Sequence, residues 1–185
     1  MARNTDNVDF WPDAALYVSW NLSATVPTAV VNPATDFATW EDIGVLDGDA
    51  GFEETQDHDE NDASGWGVGV FHVTHRNYKQ SVKFVALEQN TVTDRLRYPN
   101  QGSSNRLGIG KPEKVLLAFV KTGDAGSGQR YEYKITAGYA HVTPDGSVTD
   151  NETDPVKIPF KASIYPAIVS GKPLHWRRLR SEDLS

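Results

Sequence analysis

The sequence predicts a mainly β fold: an antiparallel β-sandwich or small barrel with one short helix and extended arms. Three observations carry this. Tyr131, Tyr133, Ile135, Ala137 and Tyr139 alternate with Arg130, Glu132, Lys134 and Thr136, the period of a strand with one face in a core. Val156 to Tyr165 alternates in the same way, and Val115 to Lys121 is strongly apolar, as a central strand is. Glycine, proline, asparagine and aspartate punctuate these runs at turn-like positions. At 185 residues and 20.4 kDa, the chain suits one domain with extensions or two small ones.

In chain order, residues 1–13 read as a polar N-terminal arm carrying an aromatic patch, Phe10-Trp11-Pro12. Leu16 to Trp20 is a short strand, and residues 21–39, with Pro27 and Pro33, form a long loop. Trp40 to Leu46 is a second short strand, closed by the turn residues Asp47-Gly48 and Asp49-Ala50-Gly51. Residues 53–62 are an almost unbroken acidic run that reads as a solvated loop. Trp66 to His75 and Tyr78 to Glu88 read as two long strands, with Arg76-Asn77 as the tight turn between them. Val82, Phe84 and Ala86 fall on one face of the second strand, Val85 and Leu87 on the other, so part of it is covered on both sides. Asn90 to Tyr98 has helical spacing and stops at Pro99. After a Gly/Ser/Asn loop come Val115 to Lys121, a glycine-rich turn at 123–128, a strand over Gln129 to Thr143, the turn Pro144-Asp145-Gly146, and the strand ending at Tyr165-Pro166. Residues 14–166 make the predicted β domain, and 167–185 a basic C-terminal extension with Trp176, Arg177, Arg178 and Arg180.

Charge is divided along the chain. Residues 4–75 hold 14 Asp or Glu and no Lys or Arg; residues 76–185 hold 11 acidic and 17 basic residues. With Arg3 the sum is −7. One reading is a monomer with two differently charged surfaces. The other is head-to-tail association of copies, acidic part against basic part, steered by complementary potentials. A nucleic-acid grip would need a clustered basic face, and the densest cluster, Lys172 to Arg180, lies at the chain's end.

No chemistry is signalled. The absence of Cys excludes disulfides, zinc ribbons, thiol nucleophiles and iron–sulfur sites. No apolar run reaches the roughly 20 residues that span a bilayer, and the N-terminus lacks the apolar core of a signal peptide. Asp57-His58-Asp59-Glu60 with Asp62 is a conceivable cation cluster, but it fails the EF-hand pattern, with Asp62 where Gly is needed. His72 and His75 are three apart in a strand and point to opposite faces. Gly65-Trp66-Gly67-Val68-Gly69 precedes no helix, and Pro112 stands where Gly108-Ile109-Gly110-Lys111 would need Ser or Thr, so neither cradles phosphate. The expectation is no catalytic residue, no cofactor and no metal.

Four segments, in this order, carry a resemblance: Ala15-Leu16-Tyr17-Val18; Trp40-Glu41-Asp42-Ile43-Gly44-Val45-Leu46-Asp47-Gly48-Asp49; an acidic stretch leading through Trp66-Gly67 to Val82-Lys83-Phe84-Val85-Ala86-Leu87-Glu88-Gln89-Asn90 and a helix; and Tyr131 to Tyr139 with Val156 to Pro166. The arrangement resembles the major tail protein, or tail tube protein, of long-tailed bacteriophages, over residues 14–166. The resemblance implies a structural virion protein, made in the host cytoplasm, whose sheets join in hexameric rings that stack into a tube for DNA delivery. It implies as partners further copies of the chain, a tape measure protein, tail terminator and distal tail proteins, and DNA in transient, non-specific passage, with no membrane. On this reading the inter-subunit contacts are Phe10 and Trp11 of the arm, Glu53, Glu54, Asp57, Asp59, Glu60 and Asp62 of the acidic run, and Trp176, Arg177, Arg178 and Arg180 of the tail. The alternatives are a carbohydrate-binding or adhesion β-sandwich with calcium in the acidic loop and, third, a hydrolase using two carboxylates.

Overall fold

The computed structural model describes residues 11–67, 69–99, 108–124, 129–149 and 152–181. In chain order these form β1 (Asp13–Ser19), α1 (Pro33–Asp36), β2 (Glu41–Asp42), β3 (Glu53–Gly65), β4 (Gly69–Ala86), α2 (Thr91–Arg97), β5 (Lys114–Asp124), β6 (Gln129–Thr136), β7 (Tyr139–Pro144), β8 (Ile158–Tyr165), β9 (Ala167–Val169), β10 (Lys172–Leu174) and β11 (Trp176–Arg180). The main sheet runs β11-β6-β5-β7-β8-β4-β3, and off this path β1 pairs with β5 and β2 with β1; all these pairings are antiparallel and the sheet is not closed into a barrel. Phe10, named above as a contact residue, lies outside the described residues.

The strand β5 explains the architecture. It is apolar at consecutive positions because both of its faces are covered. Val115, Leu117 and Phe119 join a main core with Leu16 and Val18 of β1, Phe84 of β4, Phe160 of β8, and Val92 and Leu96 of α2. Leu116, Ala118 and Val120 face a second core, where the 20–40 segment lays Phe37 and Trp40 over Tyr133 and Ile135. The Phe37 ring sits 5.0 Å from Tyr17 and 5.1 Å from Tyr133. This segment is not wholly a loop. Asn32 caps α1, its side chain accepting from the Thr35 N–H at 2.9 Å, and Pro33 supplies the preset φ of a first helical residue. Asp36 then accepts from the Tyr133 hydroxyl at 2.8 Å, which ties the helix to the sheet. There are thus two helices among the described residues, not one. The expected helix after Asn90 is α2, where Asn90 and Thr93 satisfy each other's backbone N–H groups.

Three other expectations need correction. The alternation from Gln129 to Thr143 belongs to two strands, β6 and β7. Their pairing with β5 shifts from Ala118↔Ile135 to Val115↔Ala140, so the chain turns a corner at Ala137-Gly138. A Cβ at Gly138 would stand 2.3 Å from the Tyr165 carbonyl oxygen, so only glycine lets β8 come this close. Of Trp40 to Leu46, only Glu41–Asp42 pairs as a strand, while Leu46 makes one bridge to Ala86. After residue 166 the chain adds a further strand to the main sheet. β11 is an edge strand of the main sheet, paired to β6 from Trp176↔Thr136 to Arg180↔Glu132, and Trp176 packs 5.7 Å from Phe119.

The third correction concerns the acidic run. Residues 53–62 are not a loop but most of β3, and Arg76-Asn77 is no hairpin turn but lies within β4. Cross-strand charge favours the pairing: Glu53 stands opposite Lys83 and Asp57 opposite Lys79, and the Lys79 ammonium lies 3.9 Å from Asp59. A polar edge strand needs no apolar face and resists stray strand addition. The pairing slips by one residue between Asp57 and Asp59, and across from it Asn77 takes the left-handed region with φ 55°. The hairpin turn itself is Trp66-Gly67, with Gly67 at φ 79°.

Candidate functional site

β8 pairs with β4 only from Gln80 to Ala86. Beyond that point, β3 and β4 continue as a two-stranded ribbon, in which residues 59–76 pair only with one another among the described strands. Nine residues of β4, from Gly69 to Asn77, separate tip from root, about 30 Å at the usual rise of a strand. The ribbon ends in Trp66, whose side chain is fully exposed. Its β3 strand carries Asp57, Asp59, Glu60 and Asp62, all exposed. Asp59 accepts from the Asn77 side-chain amide at 2.8 Å and lies 3.9 Å from the Lys79 ammonium; Glu60 sits 3.1 Å from the His58 ring.

At the root a groove of about 390 Å³ opens between the ribbon and the end of β8. Tyr78, Tyr165, Ile164 and Pro166 give it aromatic and apolar walls, and Lys79 and Lys161 line it beside Asp57. Tyr78 stacks on His58 at 5.7 Å, and Tyr165 stacks on Tyr139 at 4.8 Å, so both rings are braced. The chain leaves this groove directly into the β9–β10 hairpin, which presents Ile168, Val169 and Leu174 to solvent, Ile168 at 71% exposure.

The remaining residues expected to make contacts between subunits are divided by the structure. Glu53 is exposed at the start of β3. Glu54 is committed within the chain: it accepts from Lys134 of β6 and from Gln80 of β4. Burial pushes its carboxyl up, but the Lys134 hydrogen bond and charge outweigh this and hold it below the ordinary range. Trp11 is half-buried rather than part of a free patch, with the Arg130 guanidinium 4.7 Å from its ring centre and Lys121 at 6.0 Å. Arg178 and Arg180 both donate to Glu132, at 2.5 Å from Arg178 Nη2 and 2.5 Å from Arg180 Nε, and Lys121 lies 3.6 Å away. Arg177 is exposed. Trp176 belongs to the core, with Lys134 4.9 Å from its ring.

The structure therefore gathers the acidic residues on one protruding ribbon but does not bring the arginines of the tail to meet them. Sequence reasoning passed over Trp66, Tyr78, Tyr165 and the Glu132 anchor. A tryptophan between two glycines, flanked by strand patterns, was the available signal for a hairpin tip. Because β3 is extended, alternate carboxylates point to opposite faces, and among the described residues no group of three His, Asp or Glu side chains converges as a metal site. What the arrangement offers is charge and aromatic surface for binding. No family model matches this chain, and no curated protein matches it.

Proposed function

We propose that this protein is a structural subunit that associates with copies of itself in stacked rings, forming a tube, and makes or breaks no bond. In the tail-tube architecture that its segment order resembles, the rings are hexameric, the subunit is a β-sandwich, the tube carries phage DNA, and a tape measure protein, a terminator and a distal tail protein bound it. One observation carries the reading: a ribbon of two strands, tipped by an exposed tryptophan, extends about 30 Å past the strands that could support it. An isolated two-stranded hairpin is marginal in water, and a ribbon of this kind is stabilised when a third surface covers it. Its polar, acidic outer edge argues for docking onto a basic partner rather than into a lipid or an apolar groove.

The basic partner differs from the one that charge along the sequence suggested. Arg178 and Arg180 are held by Glu132, whereas Arg177 and Lys172 of the same tail are exposed. The alternative is a carbohydrate-binding or adhesion module with exposed Trp or Tyr as platforms and calcium in an acidic loop; the spread of the carboxylates along β3 disfavours its calcium site. Sedimentation velocity across a concentration series tests the proposal. Self-association should grow with concentration and weaken with added salt, since exposed charge pairs are screened. A single monomer boundary at all concentrations and low salt would refute it.

A further inference from the structure

We propose that β11 is an exchangeable strand: residues 175–181 of one copy leave their own body and dock, in the same register, on the β6 edge of a second copy. This rests on the self-assembly reading and names one contact through which copies join. The receiving site is already defined, because the chain fills it for itself. β6 accepts β11 from Trp176↔Thr136 to Arg180↔Glu132. Trp176 packs 5.7 Å from Phe119, Arg178 and Arg180 donate to Glu132, and the Ser181 N–H donates to the Tyr131 carbonyl at 3.0 Å. Each of these partners lies on β5 or β6, so a second copy offers the whole set. A strand moved between identical bodies keeps its hydrogen bonds, ion pairs and buried rings, and only the connection to its own body changes.

That connection is the weak part. Residues 167–175 join β8 to β11, and among the described strands β9 and β10 pair only with each other. An isolated two-stranded hairpin is marginal in water. This one leaves Ile168, Val169 and Leu174 exposed, so little burial holds it shut. Its turn is strained at Ser170, a non-glycine residue at φ 51°, beside Gly171 at φ 75°. Where the hairpin meets β11, the His175 Nε2 is buried with no hydrogen-bond partner. Opening the hairpin relieves both, and short connections under strain favour exchange. Extended, the nine residues 167–175 span about 30 Å, enough to carry β11 to a neighbouring body. A β6 edge that has lost its own β11 is an open strand edge and takes a strand readily. Each copy gives one strand and takes one, so exchange passed from copy to copy builds a ring or a filament.

The protein lacks Cys, so disulfide trapping can be read without background. Lys134 and Arg178 stand opposite each other in the β6–β11 register. Directly paired strand residues have Cα atoms about 4.5–5.5 Å apart, within disulfide reach. A chain with Lys134→Cys and a chain with Arg178→Cys, mixed at a concentration where wild-type protein assembles and then oxidised, should give a covalent heterodimer. Arg178→Cys mixed with Leu22→Cys, an exposed site on another segment, should give none. A chain carrying both Lys134→Cys and Arg178→Cys, oxidised while dilute, locks β11 onto its own body. It should stay monomeric at the concentration where wild-type protein assembles, and assemble once reduced. Should the reduced double variant itself fail to assemble, the two mixtures decide. If wild-type protein assembles and the oxidised double variant assembles as readily as the reduced one, or the two mixtures cross-link alike, strand exchange is overturned while self-assembly stands. If wild-type protein stays monomeric at every concentration, both fall together.

Discussion

Replacing Glu132 by Gln should loosen the C-terminal strand and lower stability by about 2 kcal/mol. Glu132 is 4% exposed on β6 and faces three cations, Arg178, Arg180 and Lys121. A hydrogen bond to a buried charged group contributes roughly 1.5–3 kcal/mol, whereas an exposed ion pair contributes 0–1. Both arginine side chains are about half exposed, which places each contact near 1 kcal/mol, and Lys121 adds little. Glutamine keeps the shape but withdraws the charge, leaving the three cations crowded around a neutral amide. For a chain of this size, about 2 kcal/mol corresponds to a fall of roughly 4–8 °C in melting temperature. Burial tends to raise the Glu132 carboxyl, but the hydrogen bonds from Arg178 and Arg180 and the nearby positive charge hold it below the ordinary range. A carboxylate with a depressed folded pKa contributes stability that is complete above its unfolded value and disappears as pH falls through the folded one. The gap between wild type and variant should therefore be full at neutral pH, begin to narrow as pH falls to about 4, the unfolded carboxylate's range, and close at lower pH. Thermal melts at several pH values, with amide exchange of residues 176–180, measure this. A variant with an unchanged melting temperature and unchanged protection of β11 would show that the arginines do not hold the strand.

Three further outcomes are expected. Gly138→Val should cost about 2–3 kcal/mol by urea unfolding, because the new Cβ meets the Tyr165 carbonyl at 2.3 Å, whereas Gly48→Ala, with no atom within 4 Å, should stay within about 0.5 kcal/mol. Truncation after residue 166 should yield an unstable or aggregating chain by circular dichroism and light scattering, since it strips Trp176 from Phe119 and bares the edge of β6. Reversing Asp57, Asp59, Glu60 and Asp62 to Lys should abolish self-association in sedimentation while the body's melting transition survives, because none of these side chains lies in either core.

The parts of the fold that sequence revealed were those where burial follows a simple period. β8 and the alternation of β6 have one wet face, and β5 has none, so each announced itself. The helix α2 showed both its spacing and its Asn90 cap. What escaped were elements stabilised by partners distant in the chain. Residues 53–62 have no strand-like composition; their pairing is favoured by Lys79 and Lys83, which stand opposite them in β4. The corner at Ala137-Gly138 leaves the alternation of residue types nearly intact, so only the approach of Tyr165 betrays it. The C-terminal arginines read as a basic extension because their counter-charge, Glu132, lies 46 residues away from Arg178. The candidate surface was legible as acidic charge but not as a ribbon tipped by an exposed tryptophan. That took the register of β3 against β4.

Electron microscopy of the purified, concentrated protein tests the central claim most directly. Assembly by copies of this chain predicts rings or stacked tubes about ten nanometres wide, the scale of a barrel closed from many strands. Discrete single particles of about 20 kDa at every concentration, with no rings and no filaments, would contradict it.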